Sequence, residues 1–572
     1  MSPMTKKYGV KKKVSDDLVE QLLHNRGIRT AEEKEKFLNP NFEKHLHDPF
    51  LLPDMEKAAT RILKAIKKNE KIAIWSDYDC DGIPGGALLH DFFKLCGFDN
   101  FINYIPDRHN EGYGMNIEGI ERLKEEKIEL IITVDCGIRD FEPIARAKEL
   151  GMEIVVTDHH EPSTRTSSAL GKAHQKLPDA FAVVNPKRSG SKYPEQILCG
   201  TGVAWKLIEA VLKLKPELVK DDQQKWLLDL AGLATLSDMV PLTGENRTIA
   251  HFGLKVLRKT RRPGLLKLFE ILRMNKATFT EDDLTFMITP RINAASRMGS
   301  PRDAFELLTT GDLGRGEALA RHLNEINDER KGVVALIVKE AKHHIKSRFE
   351  NSGEKAVIVV GNPTWRPALL GLAANTIALE YRRPVFLWGR DNGAGIKGSC
   401  RSNNGVDLMA LMESAREHFI DFGGHKFSGG FSVDNEKIHT LEDALIAVST
   451  SVVSNISNEV LADAEFKIKN VNEKIADAIN RLAPFGTGNE KPVFLFHNVW
   501  VEKVGRFGKA KEHLEVLLKD GEHSARAISF FNTLESWGER LQEGRTTNLV
   551  ASIEKSFFGG RSEVRLRIVD FF

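Results

Sequence analysis

The sequence predicts an α/β protein: a parallel-sheet domain, joined by a long helix to a smaller α/β domain, with a small β-barrel after it. Three patterns predict this order. From Lys71 to about Val240, short apolar runs alternate with helical patterns, which implies a parallel sheet covered by helices on both faces. From Asp303 to Glu350, Leu319, Leu323, Ile326, Val333 and Ile337 recur at helical spacing, so a long helix bridges two domains. From Ala464 onward, short β-rich runs broken by glycines are spaced as in a small barrel.

Along the chain, KIAIW (Lys71–Trp75) is the first strand, and a helix follows over Pro84–Cys96, with proline near its start and Gly97 after its end. ELIITV (Glu129–Val134) and EIVVT (Glu153–Thr157) are strands, with a helix over Phe141–Leu150 between them, and FAVV (Phe181–Val184) is a fourth. QQKWLLDLAGLATL is a later helix. The second α/β block begins at KAVIVV (Lys355–Val360) and runs to about Val448. PVFLFHNVWVEKV, HLEVLLKD and VRLRIVDFF supply barrel strands. The expected divisions are a segment over 1–70 packing on the core, then 71–300, the helix over 301–350, then 351–450 and 451–572.

The 572 residues are too many for one core, and 41% apolar with 28% charged residues describes a soluble globular protein. No apolar run approaches the roughly 20 residues of a membrane span, and Met1–Lys13 has no apolar signal core. Five scattered cysteines without a CxxC pair argue against a disulfide framework or a zinc knuckle, and for a reducing cytoplasm.

The strand ends carry the chemistry, because open parallel sheets bind ligands beyond the carboxyl ends of their strands. KIAIW is followed by Asp77, Asp79 and Asp81, ELIITV by Asp135, and EIVVT by Asp158, His159 and His160. Asp238 closes the later helix. A single aspartate after a strand is ordinarily a helix N-cap. Three alternating aspartates repel one another and call for a cation. Carboxylates plus imidazole suit two divalent ions, manganese or magnesium, and such a pair clamps both oxygens of a phosphoryl displacement.

SDYDCDG, TVDCGI, VTDHHEP and LSDMVPLTGEN resemble, in order, the four motifs of the DHH phosphoesterase superfamily, named for a triplet such as Asp158–His160. VVNPKRSGSKYP, CGTGVAW and PRINAASRMG narrow the resemblance to the RecJ family of bacterial 5′→3′ exonucleases specific for single strands, from about Asp54 onward. KGSCRS and FGGHKFSGG look like its DHHA1 domain, and LAPFGTGNEKPVF looks like the lead-in to its OB-fold barrel. The resemblance implies that Asp77, Asp79, Asp81, Asp135, His159 and Asp238 ligate metal. It implies that Asp158 orients His159 and that His160 contacts the scissile phosphate. Arg108, Ser399 and Arg401 fall on positions that anchor a 5′-phosphate, Arg297 and His425 on backbone contacts, and Tyr113 on the strand path. A single-strand-binding protein and a helicase are the implied partners of a monomeric, cytoplasmic enzyme of DNA repair and recombination. Ile83, Pro84, Cys136, Ser296, Arg366, Lys426 and Phe427 depart from the family pattern without removing a ligand.

Two other readings compete: a phosphodiesterase acting on short oligonucleotides or cyclic dinucleotides, and a non-catalytic replication scaffold. The β-rich tail speaks against the first and the intact ligand set against the second. In the tail, Phe494, Phe496, Trp500, Phe507, Phe530 and Phe531 offer aromatic surface, and Lys503, Arg506, Lys509 and Lys511 cluster at a turn. Their contacts with a strand would be remote from the metals, so a chain ending near Ala462 should remain active on short oligonucleotides.

Overall fold

The computed structural model describes residues 7–166, 173–390, 395–403, 405–449, 459–508, 511, 513–530, 537, 540–558 and 561–572. Phe531 and Lys509 lie outside the described residues.

The first sheet holds β1 (Ile72–Ser76), β2 (Phe101–Tyr104), β3 (Leu130–Val134), β4 (Glu153–Thr157) and β5 (Ala182–Val184). All pairings are parallel, in the order β2-β1-β3-β4-β5. Side chains alternate between two apolar layers: Ile72, Ile74, Leu130 and Ile132 face one, while Ala73, Trp75, Ile131 and Val156 face the other. Burial on both faces is why these runs read as continuously apolar. The sequence reading missed β2, whose four residues include Asn103 and lie at the sheet edge. Helices α1 (Gly82–Leu95), α2 (Gly200–Leu214), α3 (Leu228–Ser237) and α4 (Thr289–Met298) build the rest of this domain's site.

The helical pattern of Asp303–Glu350 is carried by two helices. The first ends at Thr309, and α5 (Leu313–Ser352) follows. Asp312 makes the break, accepting from Arg315 N at 2.6 Å as the new N-cap. The first half of α5 buries Leu319, Ala320 and Leu323 against the first domain, and its second half buries Ile337, Ala341 and Ile345 against the second.

The second domain holds a mixed sheet of β6 (Ile358–Gly361), β7 (Val385–Arg390), β8 (Ile396–Arg401), β9 (Asp421–His425) and β10 (Ser428–Val433), ordered β9-β10-β8-β7-β6. Helix α6 (Pro367–Tyr381) covers it. The tail is a closed barrel in which β11 (Phe494–Phe507), β12 (His513–Asp520), β13 (His523–Ser529), β14 (Thr546–Phe558) and β15 (Arg561–Phe571) run in the order β11-β12-β13-β15-β14, and β11 pairs back to β14. Phe494 and Phe496 are core side chains, whereas Trp500 is 45% exposed.

The residues before 70 divide their allegiance. Val19, Leu22, Leu23 and Phe37 join the barrel core, and Lys7–Val10 pairs in parallel with Glu459–Ala462. Leu52, Met55, Ala58 and Ile62 join the core of the first domain.

Candidate active site

The strand order β2-β1-β3-β4-β5 switches direction between β1 and β3, and a crevice opens beyond the carboxyl ends of strands at such a point. The sequence-predicted acidic and imidazole residues collect there. Asp77, Asp79 and Asp81 follow β1, Asp135 follows β3, Asp158 to His160 follow β4, and Asp238 caps α3. Three sets bring their donor atoms within 4.8 Å of one another: Asp77, Asp79 and Asp135; Asp81, His159 and Asp238; and Asp135, His159 and His160. Asp135 and His159 each belong to two sets, which joins all three into one cluster. His159 Nε2 lies 3.1 Å from Asp135 Oδ1 and 3.8 Å from Asp81 Oδ2, while Nδ1 lies 3.8 Å from Asp238 Oδ2.

The donor set fits divalent metal. Asp77 Oδ1, Asp135 Oδ1 and His159 Nδ1 are buried without a hydrogen-bond partner. Burial first, and neighbouring carboxylates second, push Asp77, Asp135 and Asp238 well above the usual carboxylate range and Asp81 up to about 6. Among the described residues, no lysine or arginine forms an ion pair with any of them. Burial, then the charge of His160, lowers His159 to about 3 and keeps it in the neutral form that ligates metal.

Local structure explains the convergence. Asp81 sits at the N-terminus of α2, its Oδ2 accepting from Gly200 N at 2.6 Å and its Oδ1 from Thr201 N at 2.8 Å. A Cβ on Gly200 would lie 2.5 Å from the Cβ of Asp135, so only glycine lets α2 approach this far. Asp135 adopts a left-handed backbone with φ 62°, a strain typical of functional sites. Tyr113 Oη donates to its carbonyl at 2.9 Å.

Asp158 and His160 form the second unit. Asp158 Oδ2 accepts from Ile138 N at 2.9 Å, and Oδ1 lies 2.8 Å from His160 Nδ1. Burial would raise Asp158, but the hydrogen bond and charge of His160 outweigh it and bring the carboxyl to about 2. At His160 burial opposes charge, and Asp158 outweighs it to raise the imidazole. Tyr113 Oη stands 3.1 Å from the same Nδ1.

Across the crevice lies the second domain. Arg297, near the end of α4, donates to Ala368 O of α6 at 2.6 Å. Arg401 and Ser399 face α6 from β8, where a Cβ on Gly371 would lie 2.8 Å from Arg401 Nη2 and 3.6 Å from Ser399 Oγ. The Arg108 guanidinium is 4.8 Å from the Tyr78 ring, between Asp77 and Asp79 in the chain. His425 lies on the β9–β10 hairpin; burial first, then the charges of His160, Lys187 and Arg139, lower its pKa.

Three family models match in order: the DHH family N-terminal domain over residues 71–235, the DHHA1 domain over 353–452, and the RecJ OB domain over 462–570. The single-stranded-DNA-specific exonuclease RecJ of Haemophilus influenzae is 30% identical over 97% of this chain and 96% of its own length. That of Bacillus subtilis is 33% identical over 97% of this chain and 67% of its own. The chain belongs to the RecJ family. The crystal structure of RecJ from Thermus thermophilus in complex with Mn2+ shares the fold, with a TM-score of 0.79 and 24% identity over 99% of this chain and 79% of that one. A crystal structure of exonuclease RecJ bound to manganese has a TM-score of 0.58 and 29% identity over 70% of this chain and 95% of that one.

In this RecJ-family chain one expected contact is drawn differently. Asp158 binds the ring of His160, whereas the ring nitrogens of His159 face Asp81, Asp135 and Asp238. Asp158 reaches His159 only through its backbone N, at 2.7 Å. The sequence places two imidazoles after one carboxylate and does not say which ring turns back. Gly200 and Thr201 as holders of Asp81 were also missed, although a Gly-rich stretch opening a helix signals N–H groups available to an anion.

Proposed function

We propose that this chain is a single-strand-specific 5′→3′ exodeoxyribonuclease that hydrolyses phosphodiester bonds to 5′-mononucleotides in DNA repair and recombination. The observation that carries this reading is the buried carboxylate and imidazole cluster facing a crevice whose arginines Arg108, Arg297 and Arg401 have no carboxylate partner among the described residues. Asp77, Asp79, Asp81, Asp135, His159 and Asp238 would hold two divalent ions, Mn2+ or Mg2+. Bound divalent metal supplies Lewis-acid stabilisation of phosphoryl oxygens and a lowered water pKa. His160, oriented by Asp158, contacts the scissile phosphate and stabilises the charge that develops there. Tyr113 fixes the His160 ring from the solvent side while lying along the strand path. Arg297 and His425 hold the sugar-phosphate backbone, and Arg108, Ser399 and Arg401 bind a 5′-terminal phosphate, so that hydrolysis begins one nucleotide from the end.

Single-stranded DNA is the substrate, and a single-strand-binding protein and a helicase are the partners that the family suggests for a monomeric, cytoplasmic enzyme. No helix among the described residues is long and apolar enough to cross a membrane. Single strands labelled at either end, incubated with Mn2+, Mg2+ or chelator, test the reading. Labelled mononucleotide should appear at once from the 5′-labelled strand and last from the 3′-labelled one. Endonucleolytic fragments, or activity surviving chelation, would overturn it.

A further inference from the structure

Two polar side chains on α5 carry buried atoms without a hydrogen-bond partner. Asn327 is fully buried, yet neither its Nδ2 nor its Oδ1 has a partner. One turn later Arg330, half-buried, has an enclosed Nε without a partner, and no carboxylate pairs with its guanidinium among the described residues. A buried amide and a half-buried charge left unpaired are costly, and such groups call for an explanation.

Helix packing says which residues they stand level with. Arg291 of α4 bonds Asn324 of α5 at 3.0 Å, and Met298 of α4 packs into the apolar cluster that holds Val333 and Val334. The two helices therefore run side by side in the same direction, and Arg297 comes level with Arg330. Burial, then the charges of Arg108 and Arg330, bring Arg297 down to about 9, and Arg401 adds to the repulsion. The guanidinium groups of Arg108 (first domain), Arg330 (connecting helix) and Arg401 (second domain) thus all act on Arg297, whose own group bonds the second domain at Ala368 O. The charge of Asp79 partly offsets them at Arg297, and that of Asp328 does so at Arg330.

We propose that Arg330 is a specificity-determining residue that completes, with Arg108, Arg297 and Arg401, a cage for the phosphomonoester at the 5′ end of the strand, with Asn327 beside it as a positioning residue. The proposal rests on the exonuclease reading and extends its phosphate pocket to the connecting helix. An internal phosphodiester brings a single negative charge, whereas a terminal phosphate brings nearly two and three acceptor oxygens. The latter is the better match for four cations that form no ion pair with a carboxylate among the described residues. The orphaned Asn327 Oδ1 and Arg330 Nε are i and i+3 on one helix face, close enough for the amide to accept from Nε and aim the guanidinium when the anion enters.

The test uses the full chain with Mn2+ and oligonucleotides bearing either a 5′-phosphate or a 5′-hydroxyl. Arg330→Gln should lower kcat/KM on the phosphorylated strand by about tenfold or more while changing the hydroxyl strand by less than about threefold. Arg330→Lys should recover part of the preference, since it restores charge without the fork. Melting in inorganic phosphate gives a second readout: the wild type should be stabilised and Arg330→Gln should be stabilised less. Without phosphate the variant should melt no lower than wild type, because it loses an unpaired charge. Equal losses on both strands, no loss on either, or a lower melting temperature with the end preference intact would each overturn the role of Arg330. A wild type that degrades neither strand would overturn the exonuclease reading instead.

Discussion

At the level of single residues, Asp135 has the sharpest consequences. It joins two of the three ligand sets, its Oδ1 is buried without a hydrogen bond, and neighbouring carboxylates crowd it. Asp135→Asn should abolish turnover, leaving less than about a tenth of wild-type activity at saturating Mn2+. The same change removes a repelling charge, so the chelated variant should melt higher than chelated wild type, and Mn2+ should no longer raise its melting temperature. A lower melting temperature in chelator would contradict the electrostatic account. Asp81 gives a pH dependence. In metal-free protein its pKa of about 6, against an ordinary 3.8, means the folded state binds the proton more tightly than the unfolded chain. That stabilisation is complete below about pH 4 and is lost as pH rises through about 6, a change of about 3 kcal/mol for this one group. Asp158 has the opposite sign, and its contribution disappears only toward pH 2. Asp77, Asp135 and Asp238, held further above the carboxylate range, extend the loss seen for Asp81, while His159, at about 3, opposes it below about pH 6.5. From there to about pH 8 the chelated protein should lose melting temperature, and saturating Mn2+ should flatten the profile.

At the level of elements, β8 and α6 together would build the proposed phosphate grip. The guanidinium of Arg401 lies against α6 because position 371 has no side chain. A methyl group there would meet the tip of a flexible side chain rather than backbone, so Gly371→Ala should displace the guanidinium at little cost in stability. Arg401→Ala is expected to reduce the preference for a 5′-phosphorylated end by about tenfold. Gly371→Ala should move the preference in the same direction with a smaller amplitude, read as the ratio of kcat/KM on the two ends. An unchanged ratio in both variants would remove this strand and helix from the pocket.

At the level of the whole molecule, the barrel is not the remote accessory that its sequence suggests. Its lead-in packs on the loop that carries Asp238: Leu242 N donates to Thr487 O at 2.7 Å, and the buried Arg247 donates to the carbonyls of Leu482, Ala483 and Pro484. A Cβ on Gly488 would touch Pro241 at 3.2 Å. The N-terminal helices share the barrel core, so removing the barrel also exposes Leu22, Leu23 and Phe37. A chain ending near Ala462 is thus expected to lose kcat on short oligonucleotides, contrary to the expectation from sequence. Restoring residues up to about 493 should recover part of that loss, whereas weak binding of long strands should persist. Unchanged kcat in a folded truncated chain would show that the lead-in does not support Asp238.

The sequence alone determined the order of the domains and which acidic and imidazole residues gather at the strand ends. Strands buried on both faces must be apolar throughout, and an aspartate directly after such a strand stands at the edge of the crevice beyond the sheet. Those facts are local, and a linear reading captures them. Contacts between distant segments were decided by tertiary structure. The turn of His160 rather than His159 toward Asp158, the seat of Asp81 on the N–H groups of α2, the hold of residues 482–487 on the Asp238 loop, and the level placing of Arg297 and Arg330 all depend on how helices and strands pack. None leaves a periodic trace in the sequence, because each joins residues whose separation along the chain bears no relation to the geometry that brings them together.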